Sequence, residues 1–561
     1  MNFKNEISKL IKNASKITVS EDIIEIPPDS KMGDYAFPCF ILAKELKKSP
    51  IEIAKDISKK IQPNNYISEI KQIGPYINFF VKKDILSKEV LEKIYNEKEK
   101  YGNNLAKPQT ILLEGWQPNT HKAFHIGHIR NAVLGEVLAR IFEFNGNKVI
   151  KSSYMGDIGA HVAKWIWYFT KYYEGKIPKT NVSKWSGQIY TKATLKSKEN
   201  EKYLNEIHEI HKKLEDGDKN LVKLWKETRK LCLDDIWNIV KELDSHIDRA
   251  YFESEVEQPG IKKVKELEKL GMAKLSEGAI IMDLEKHKLG VFVLLKSNGA
   301  SLYSTKDIAL AYLKSKEYKF DLSLYVVASE QDHHFRQLFK TLELINYKDS
   351  KKVKHVSYGV VKLKDGKMSS RLGNIILYED FRDRLLEKVE KQIKARNLPE
   401  KQKDSIVKDI AFGAMKFTML NQDSVKEIVF DYDKALSFEG ETGPYIQYSR
   451  ARACSVLKKV NEKISANFKF SKLETNEEKE ILKLLKNYPN IVLKSGEEYK
   501  PHIITRYLLD LSQAFNLYYH KYKIIQEDLD LQKARLLLVF AVKEILKSGL
   551  NLLSINAPEI M

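Results

Sequence analysis

Apolar residues recur with two different periods along this chain, and the changes of period mark its parts. Residues 1–15 carry helical spacing, 23–26 form a short β-prone run stopped by Pro27 and Pro28, and Gly33-Asp34-Tyr35 reads as a turn. Residues 40–46 and 51–61 predict helices, 73–81 a strand, and 84–100 an amphipathic helix ending at a boundary near Gly102-Asn103-Asn104. Residues 110–113 then form an apolar run short enough for a buried strand, followed by a loop through Pro118 and Gly127, a helix over about 129–145, and a strand over 148–152. Strand, loop, helix, strand is the opening of a doubly wound parallel sheet. Residues 175 to about 275 are mostly helical with dense Lys/Glu pairing and read as an insertion. Strand patterns return at 279–284, 291–296, 324–328 (with a helix from His334) and 356–363, and from about Tyr378 to Met561 the pattern is almost wholly helical. There is no internal repeat and no long low-complexity tract.

A chain of 561 residues exceeds one ordinary core. The expected partition is a small α/β domain over 1–103, a parallel-sheet domain over 104–385 carrying the insertion, and a helical domain over 386–561 with a bundle from about 444. No apolar run approaches the ~18 residues that span a bilayer. The first twelve residues lack the apolar core of a signal peptide, and Glu6 argues against a transit peptide. Cys39, Cys232 and Cys454 are scattered with no CxxC element, so neither a disulfide framework nor a zinc site is expected, and a reducing cytoplasm is the simple reading. Basic residues number 95 and acidic 76, a net charge of +19. Such an excess favours a phosphate backbone as partner through counterion release, or else serves solubility.

Chemistry concentrates in two segments. Glu114 to His128 reads EGWQPNTHKAFHIGH, leaving the carboxyl end of a strand and entering a helix, the edge where open α/β sheets bind ligands. The helix start offers free N–H groups to phosphate, and Gly127 permits close approach of a base or ribose. His125 and His128 share one helical face and are suited to donate hydrogen bonds to charge developing on an α-phosphate, and Lys122 adds a full positive charge. Two capping histidines on a polar loop are the simpler alternative for this segment in isolation. Far downstream, Lys367-Met368-Ser369-Ser370-Arg371 forms a loop flanked by Gly366 and Gly373. Its lysine suits β- and γ-phosphates, its hydroxyls add donors, and its glycines suit a lid that closes on ATP. Together and in this order, HIGH and a KMSKS-type loop specify nucleotidyl transfer far better than either does alone.

Three further clusters matter. In Tyr303 to Asp307 (YSTKD), an aspartate beside a tyrosine suits a planar guanidinium, while Ser304 or Thr305 as a helix cap explains the same residues without a ligand. Ser329 to His334 (SEQDHH) follows a strand and fits a substrate pocket, and His333-His334 lacks a third partner for a metal site. GPYIQYSRAR from Gly443, with Arg506, Tyr507, Tyr518, Tyr519, His520, Lys521 and Tyr522, mixes rings and cations as base stacking requires, although many of these tyrosines must be core.

These residues resemble the arginyl-tRNA synthetases, of the class I aminoacyl-tRNA synthetases, nearly end to end. Gly33-Asp34-Tyr35-Ala36-Phe37 and Gly74 to Phe80 (GPYINFF) resemble the family's N-terminal additional domain, and Pro118-Asn119, Lys122 and His125 to His128 its signature, with Met155-Gly156-Asp157 after the next strand. LYSTKDIALA from Leu302 and VVASEQDHHF from Val326 resemble its amino-acid pocket, and the helical C-terminus through INAPEIM from Ile555 its anticodon-binding domain of the DALR type. The resemblance implies an α/β fold: a Rossmann-like catalytic domain between a small N-terminal α/β domain that binds the tRNA elbow and an all-helical anticodon-binding domain. It implies ATP-dependent activation of L-arginine to arginyl-adenylate, with Mg²⁺ accompanying ATP and no protein-bound zinc. Transfer to the 2′-OH of the terminal adenosine of arginine tRNA follows, with tRNA needed for the first step, by a monomer acting away from membranes. By position, Glu114, Tyr303 and Asp307 hold the guanidinium, and Asn119, His125 and Gln331 lie near the α-amino and carboxylate groups. Lys122, His125, Gly127 and His128 face ATP, Lys367, Met368, Ser369 and Ser370 close on it, and Tyr76 and Asn78 touch tRNA. Trp116-Gln117 replaces the usual small serine pair, Ala123 stands where proline is common, and Arg371 stands where the full loop motif has its second lysine, so Lys122 and Lys367 rank above Arg371. A synthetase for glutamate or lysine, an inactive tRNA-binding paralogue, and a small-molecule adenylyltransferase compete with this reading. Glu114 and Asp307 disfavour a glutamate pocket, the intact motifs disfavour decay, and the flanking domains disfavour the last.

Overall fold

The computed structural model describes residues 3–27, 32–103, 107–364, 376–394, 399–460, 464–466 and 470–561. It divides into one unit of residues 1–101, 453–486 and 514–545, and a second of 102–452, 487–513 and 546–561.

In the first unit, Tyr35–Pro38 (β1), Ile67–Ile73 (β2) and Tyr76–Val81 (β3) form an antiparallel sheet with β3 at its centre. The sequence predicts one strand over 73–81 and a turn through Tyr35. The chain instead makes a β2–β3 hairpin across Gly74 and Pro75, with Gly74 at φ +57° where the reversal needs a left-handed backbone. The helix Pro50–Lys60 packs Ile53, Ala54 and Ile57 inward, and its start is fixed by a reciprocal Ser49–Glu52 capping box. In the helical part of this unit, buried Glu478 accepts from Arg535 Nε at 2.9 Å and Tyr518 Oη at 3.3 Å. Tyr518 is thus core, as is Tyr507 in the second unit.

In the second unit, Thr110–Trp116 (β4), Lys148–Met155 (β5) and Arg249–Phe252 (β6) join Leu322–Ala328 (β10) and Val353–Tyr358 (β11) in a fully parallel sheet, ordered β11-β10-β4-β5-β6. Chain order reverses at β4, which lies between β5 and β10, so the ligand crevice belongs at its carboxyl end. Strand β6 lies inside the stretch read as a helical insertion and is one edge of this sheet. The helices Ala160–Tyr172, Val182–Lys196, Glu201–Glu215 and Lys219–Glu242 form the excursion between β5 and β6. Between β6 and β10 lie the helix Glu253–Lys269, a separate antiparallel sheet of Lys274–Ser276 (β7), Ala279–Asp283 (β8) and Val291–Leu295 (β9), and the helix Tyr303–Glu317. Val361–Leu363 (β12) pairs in parallel with Ile428–Phe430 (β13), so the run expected as one strand over 356–363 is split.

The helix Ile126–Phe144 lies against β4 because two glycines face each other. A Cβ on Gly115 would sit 2.8 Å from the Gly135 Cα, and one on Gly135 would sit 2.7 Å from the Gly115 Cα. Backbone-to-backbone contact there brings the helix start close to the strand's carboxyl end.

Candidate active site

The helix Ile126–Phe144 begins with a cap made by its own two histidines. The Gly127 N–H donates to His125 Nδ1 at 3.2 Å, and the His125 N–H donates to His128 Nδ1 at 3.2 Å. An imidazole nitrogen that accepts carries no proton, so each ring bears its hydrogen on Nε2. The rings stack with centroids 3.7 Å apart. Burial, reinforced by nearby Lys122, lowers His125 to about 4. Burial, then His125 and Lys122, holds His128 well below the ordinary 6.5. Both are therefore neutral donors near pH 7. The capping alternative and the donor role are thus compatible, since capping uses Nδ1 and leaves Nε2–H. A Cβ on Gly127 would press on the His125 ring at 3.1 Å.

The pair is held from behind. Phe124 stacks on His128 at 5.0 Å and on Trp116 at 5.8 Å, and Trp116 Nε1 donates to Ser245 Oγ at 3.2 Å. Ser245 Oγ donates to Glu136 at 2.7 Å, a buried carboxylate that also pairs with Arg140 at 2.7 Å and Lys151 at 3.1 Å. Trp116 therefore fills space behind the histidines and ties it to that charged cluster. The segment after the KMSSR loop is zipped to the same strip: Ile126 N–H donates to Ile376 O and Tyr378 N–H to Phe124 O, both at 3.0 Å. Lys367, Met368, Ser369, Ser370 and Arg371 lie outside the described residues.

Lys122 places its ammonium 5.4 Å over the Tyr190 ring, and Lys164 lies over the same ring at 5.8 Å. Burial lowers the Lys122 pKa, opposed by the Glu253 charge and reinforced by Lys164. Asn119 bridges in parallel to Gly156, whose missing side chain makes room for it: a Cβ there would lie 2.2 Å from Asn119 Oδ1. The adjacent Asp157 is fully buried and accepts from Ser254 N–H at 2.9 Å and Ser254 Oγ at 2.6 Å, with Arg229 at 2.7 Å.

The acidic residues expected at a guanidinium already have protein partners. Glu114 Oε2 lies 2.6 Å from Lys314 Nζ, and Gln117 Nε2 donates to Glu114 Oε1 at 2.6 Å. Asp307 Oδ2 meets His334 Nε2 at 2.7 Å, so the second histidine of SEQDHH serves a carboxylate. Glu253 pairs with Lys306 at 2.8 Å. Ser304 and Thr305 bond the Val293 and Leu294 carbonyls of β9, which anchors the YSTKD turn to the small sheet. Tyr303 opens that helix 68% exposed, and Gln331 is exposed at the end of a short turn after β10. Tyr76 is half-buried against Phe40, while Asn78, expected to touch RNA, is only 3% exposed on the central β3.

Sequence reasoning missed Lys314 and His334 as the partners of Glu114 and Asp307. No local signal marked either pairing, because Glu114 and Lys314 lie 200 residues apart and Asp307 and His334 lie on different helices. It also missed His121, fully buried at φ +60° with Nδ1 3.0 Å from Thr120 Oγ1 and Nε2 2.9 Å from Thr228 Oγ1. Burial lowers it to about 3, and it buttresses the loop as a neutral ring.

Known families and structures match this arrangement over the whole chain. The family model for the catalytic domain of class I (R) tRNA synthetases matches residues 90–432, that for the DALR anticodon binding domain matches 446–561, and that for the arginyl tRNA synthetase N terminal domain matches 1–81. The chain is 37% identical to an arginine–tRNA ligase of Clostridioides difficile over 563 residues and 37% identical to one of Halothermothrix orenii over 565, covering 100% of each chain in both cases. Among solved structures it superposes on the Thermus thermophilus arginyl-tRNA synthetase with a TM-score of 0.82 at 27% identity, covering 100% of both chains. The fold of the Plasmodium falciparum arginyl-tRNA synthetase matches with a TM-score of 0.75 at 22% identity, over 100% of this chain and 99% of that one. With a Rossmann-like sheet, a histidine-capped helix at its switch point and these full-length matches, the chain belongs to the arginyl-tRNA synthetases, the class I ligases that charge tRNA with arginine.

Proposed function

We propose that the carboxyl end of β4 is where this ligase brings arginine and ATP together, with His125 and His128 as neutral donors to the α-phosphate. The observation that carries this reading is the pair of Nδ1 acceptors, which leaves two Nε2–H groups at a helix N-terminus. In the first step an arginine carboxylate oxygen bonds to the α-phosphorus as the bond to the bridging oxygen breaks, giving arginyl-adenylate and pyrophosphate. The non-bridging oxygens gain charge in the transition state, and fixed donors stabilise that charge more than the ground state. Lys122 adds positive charge beside them, Gly127 contributes backbone to the nucleotide, and Lys367 with Met368, Ser369 and Ser370 closes on the triphosphate. Mg²⁺ enters on the ATP phosphates as part of the substrate.

Asp307 is the principal guanidinium carboxylate, held in place by His334. Glu114, fixed by Lys314 and Gln117, reinforces the negative field through its charge and remaining lone pairs, and Tyr303 covers the site from the helix start. Asn119, His125 and Gln331 orient the α-amino and carboxylate groups. In the second step the 2′-OH of the terminal adenosine attacks the activated carbonyl and AMP leaves. Tyr76 meets the tRNA elbow, and Asn78, buried two residues further along the same strand, shapes the strand that presents it. The DALR-type helices receive the anticodon loop, and tRNA binding completes the site for the first step. The enzyme works as a monomer in the cytoplasm. Three buried free cysteines suit a reducing compartment, and among the described residues no helix is long and apolar enough to cross a membrane.

ATP–pyrophosphate exchange with each amino acid, with and without total tRNA, tests the reading. Exchange with arginine alone, and only with tRNA present, is expected. Exchange that is equal without tRNA removes the tRNA requirement, and tight tRNA binding with no exchange for any amino acid removes the catalytic assignment.

A further inference from the structure

Tyr154 lies near the end of β5, and its hydroxyl is buried with no hydrogen-bond partner among the described residues. A buried O–H left unpaired is costly, and such groups in native structures call for a reason.

Strand register places this hydroxyl. Tyr325 of β10 pairs with Glu114 of β4, which pairs with Ser152 of β5. Paired residues project to the same face, and residues two apart on one strand share it, so Tyr154 stands on the Glu114 face, ~6.6 Å nearer the carboxyl ends. The helix Tyr303–Glu317 covers that face. Lys314 bonds Glu114, while Ala309 and Leu310 belong to the cluster with Tyr251 against which Tyr154 packs. Asp307 lies two turns before Lys314 on the same side of that helix, ~10.5 Å toward the same open end. Register and packing therefore put Tyr154 on the sheet face that carries Glu114, beneath the helix that carries Asp307.

The charges around it fit that placement. Burial raises the Tyr154 phenol well above 10, and the next contributions come from Asp307, Glu253, Glu114 and Asp157. It is thus a neutral phenol within the field of four carboxylates. Each of those carboxylates has a protein partner: His334, Lys306, Lys314, and Arg229 with Ser254. Among the described residues the phenol oxygen has none.

We propose that Tyr154 is a specificity-determining residue whose phenol oxygen accepts an N–H of the substrate guanidinium. This rests on the assignment of Asp307 to that pocket. A guanidinium brings five N–H donors in one plane, and a carboxylate gripping it bidentately uses two. The others need neutral acceptors more than further charge, because added carboxylates repel those already present. A phenol supplies such an acceptor through its oxygen and adds no charge of its own. An ammonium with three divergent donors does not reproduce that planar fit.

Tyr154→Phe removes one oxygen and keeps the ring, and it tests the proposal in tRNA-supported ATP–pyrophosphate exchange. The KM for arginine is expected to rise about tenfold or more, the loss typical of a hydrogen bond to a charged group. KM for ATP and for tRNA should stay unchanged, and Tm should be no lower than in the parent, since an unpaired polar atom has been removed from the interior. Asp307→Ala is assayed alongside. If Asp307→Ala abolishes arginine use while Tyr154→Phe leaves its KM unchanged, the role of Tyr154 is overturned and the pocket stands. If neither variant alters arginine KM, the pocket itself is misplaced. A Tyr154→Phe protein with lower Tm and intact arginine KM shows a purely structural hydroxyl and overturns the proposal.

Discussion

Lys314 carries its ammonium to within 2.6 Å of the Glu114 carboxylate, and both side chains are at most 2% exposed. The same ammonium lies 3.9 Å from the centre of the Tyr325 ring. A helix and a strand some 200 residues apart are thus pinned by one buried ion pair. Removing one member leaves the other charged in a dry interior, so Lys314→Met should lower stability by about 3–5 kcal/mol. Adding Glu114→Gln should return a large part of that loss, because the amide keeps a partner in Gln117 and no charge remains. Chemical denaturation of the two single variants and the double variant measures the coupling. Strictly additive losses would mean the two groups do not depend on each other.

The two histidines separate into a capping nitrogen and a donating nitrogen, and amide substitutions copy one or the other. His128→Asn keeps an acceptor near Nδ1 and loses the Nε2–H donor. Its stability should lie within about 1 kcal/mol of the parent, while pyrophosphate exchange falls about 100-fold or more. His128→Gln should show the reverse balance, with a weaker cap and more residual exchange. An Asn variant as active as the parent would contradict the assigned tautomer.

Acid should weaken the fold before most carboxylates titrate. His121 and His161 are lowered to about 3, His125 to about 4, and His128 well below 6.5, with burial the largest cause in each. In the unfolded chain they protonate near 6.5, so the stability they confer is complete above that pH. It is lost as pH falls from 6.5 toward 4, at up to about 1.4 kcal/mol per pH unit for each imidazole. Urea midpoints at pH 7 and pH 5, at constant ionic strength, should differ accordingly, with net proton uptake on unfolding. Equal midpoints would show these rings are not held neutral.

Lys122→Met should slow adenylate formation by about 100-fold while leaving tRNA affinity unchanged. Exchange kinetics and filter binding read the two separately. Normal exchange would make Lys122 a structural partner of Tyr190 alone.

Much of this candidate site could be named from the sequence because its residues cluster locally. The HIGH turn and the YSTKD turn each announce a helix start and its polar residues within a few positions. The partners were harder to read, because Lys314 and His334 acquire meaning only when a helix folds over β4 and β10. Strand β6 went unread since its four residues, Arg249–Phe252, end a long helical stretch and pair only with the distant β5. Strand β2 went unread because its exposed positions, including Glu69, Lys71 and Gln72, suit solvent and blur the alternation. Strand β1 is four residues, all buried, and ends in proline, so it shows neither period nor propensity.

Gly115 and Gly135 bring their backbones into contact midway along the helix that His125 caps. Neither position tolerates even a methyl group unless the other backbone retreats, and a larger side chain at one cannot be balanced by a smaller one at the other, because nothing smaller than hydrogen exists. Ordinary compensating drift is therefore closed to this pair. The surrounding helix and strand can exchange side chains, but this contact sets the distance between them, and with it the position of His125 and His128.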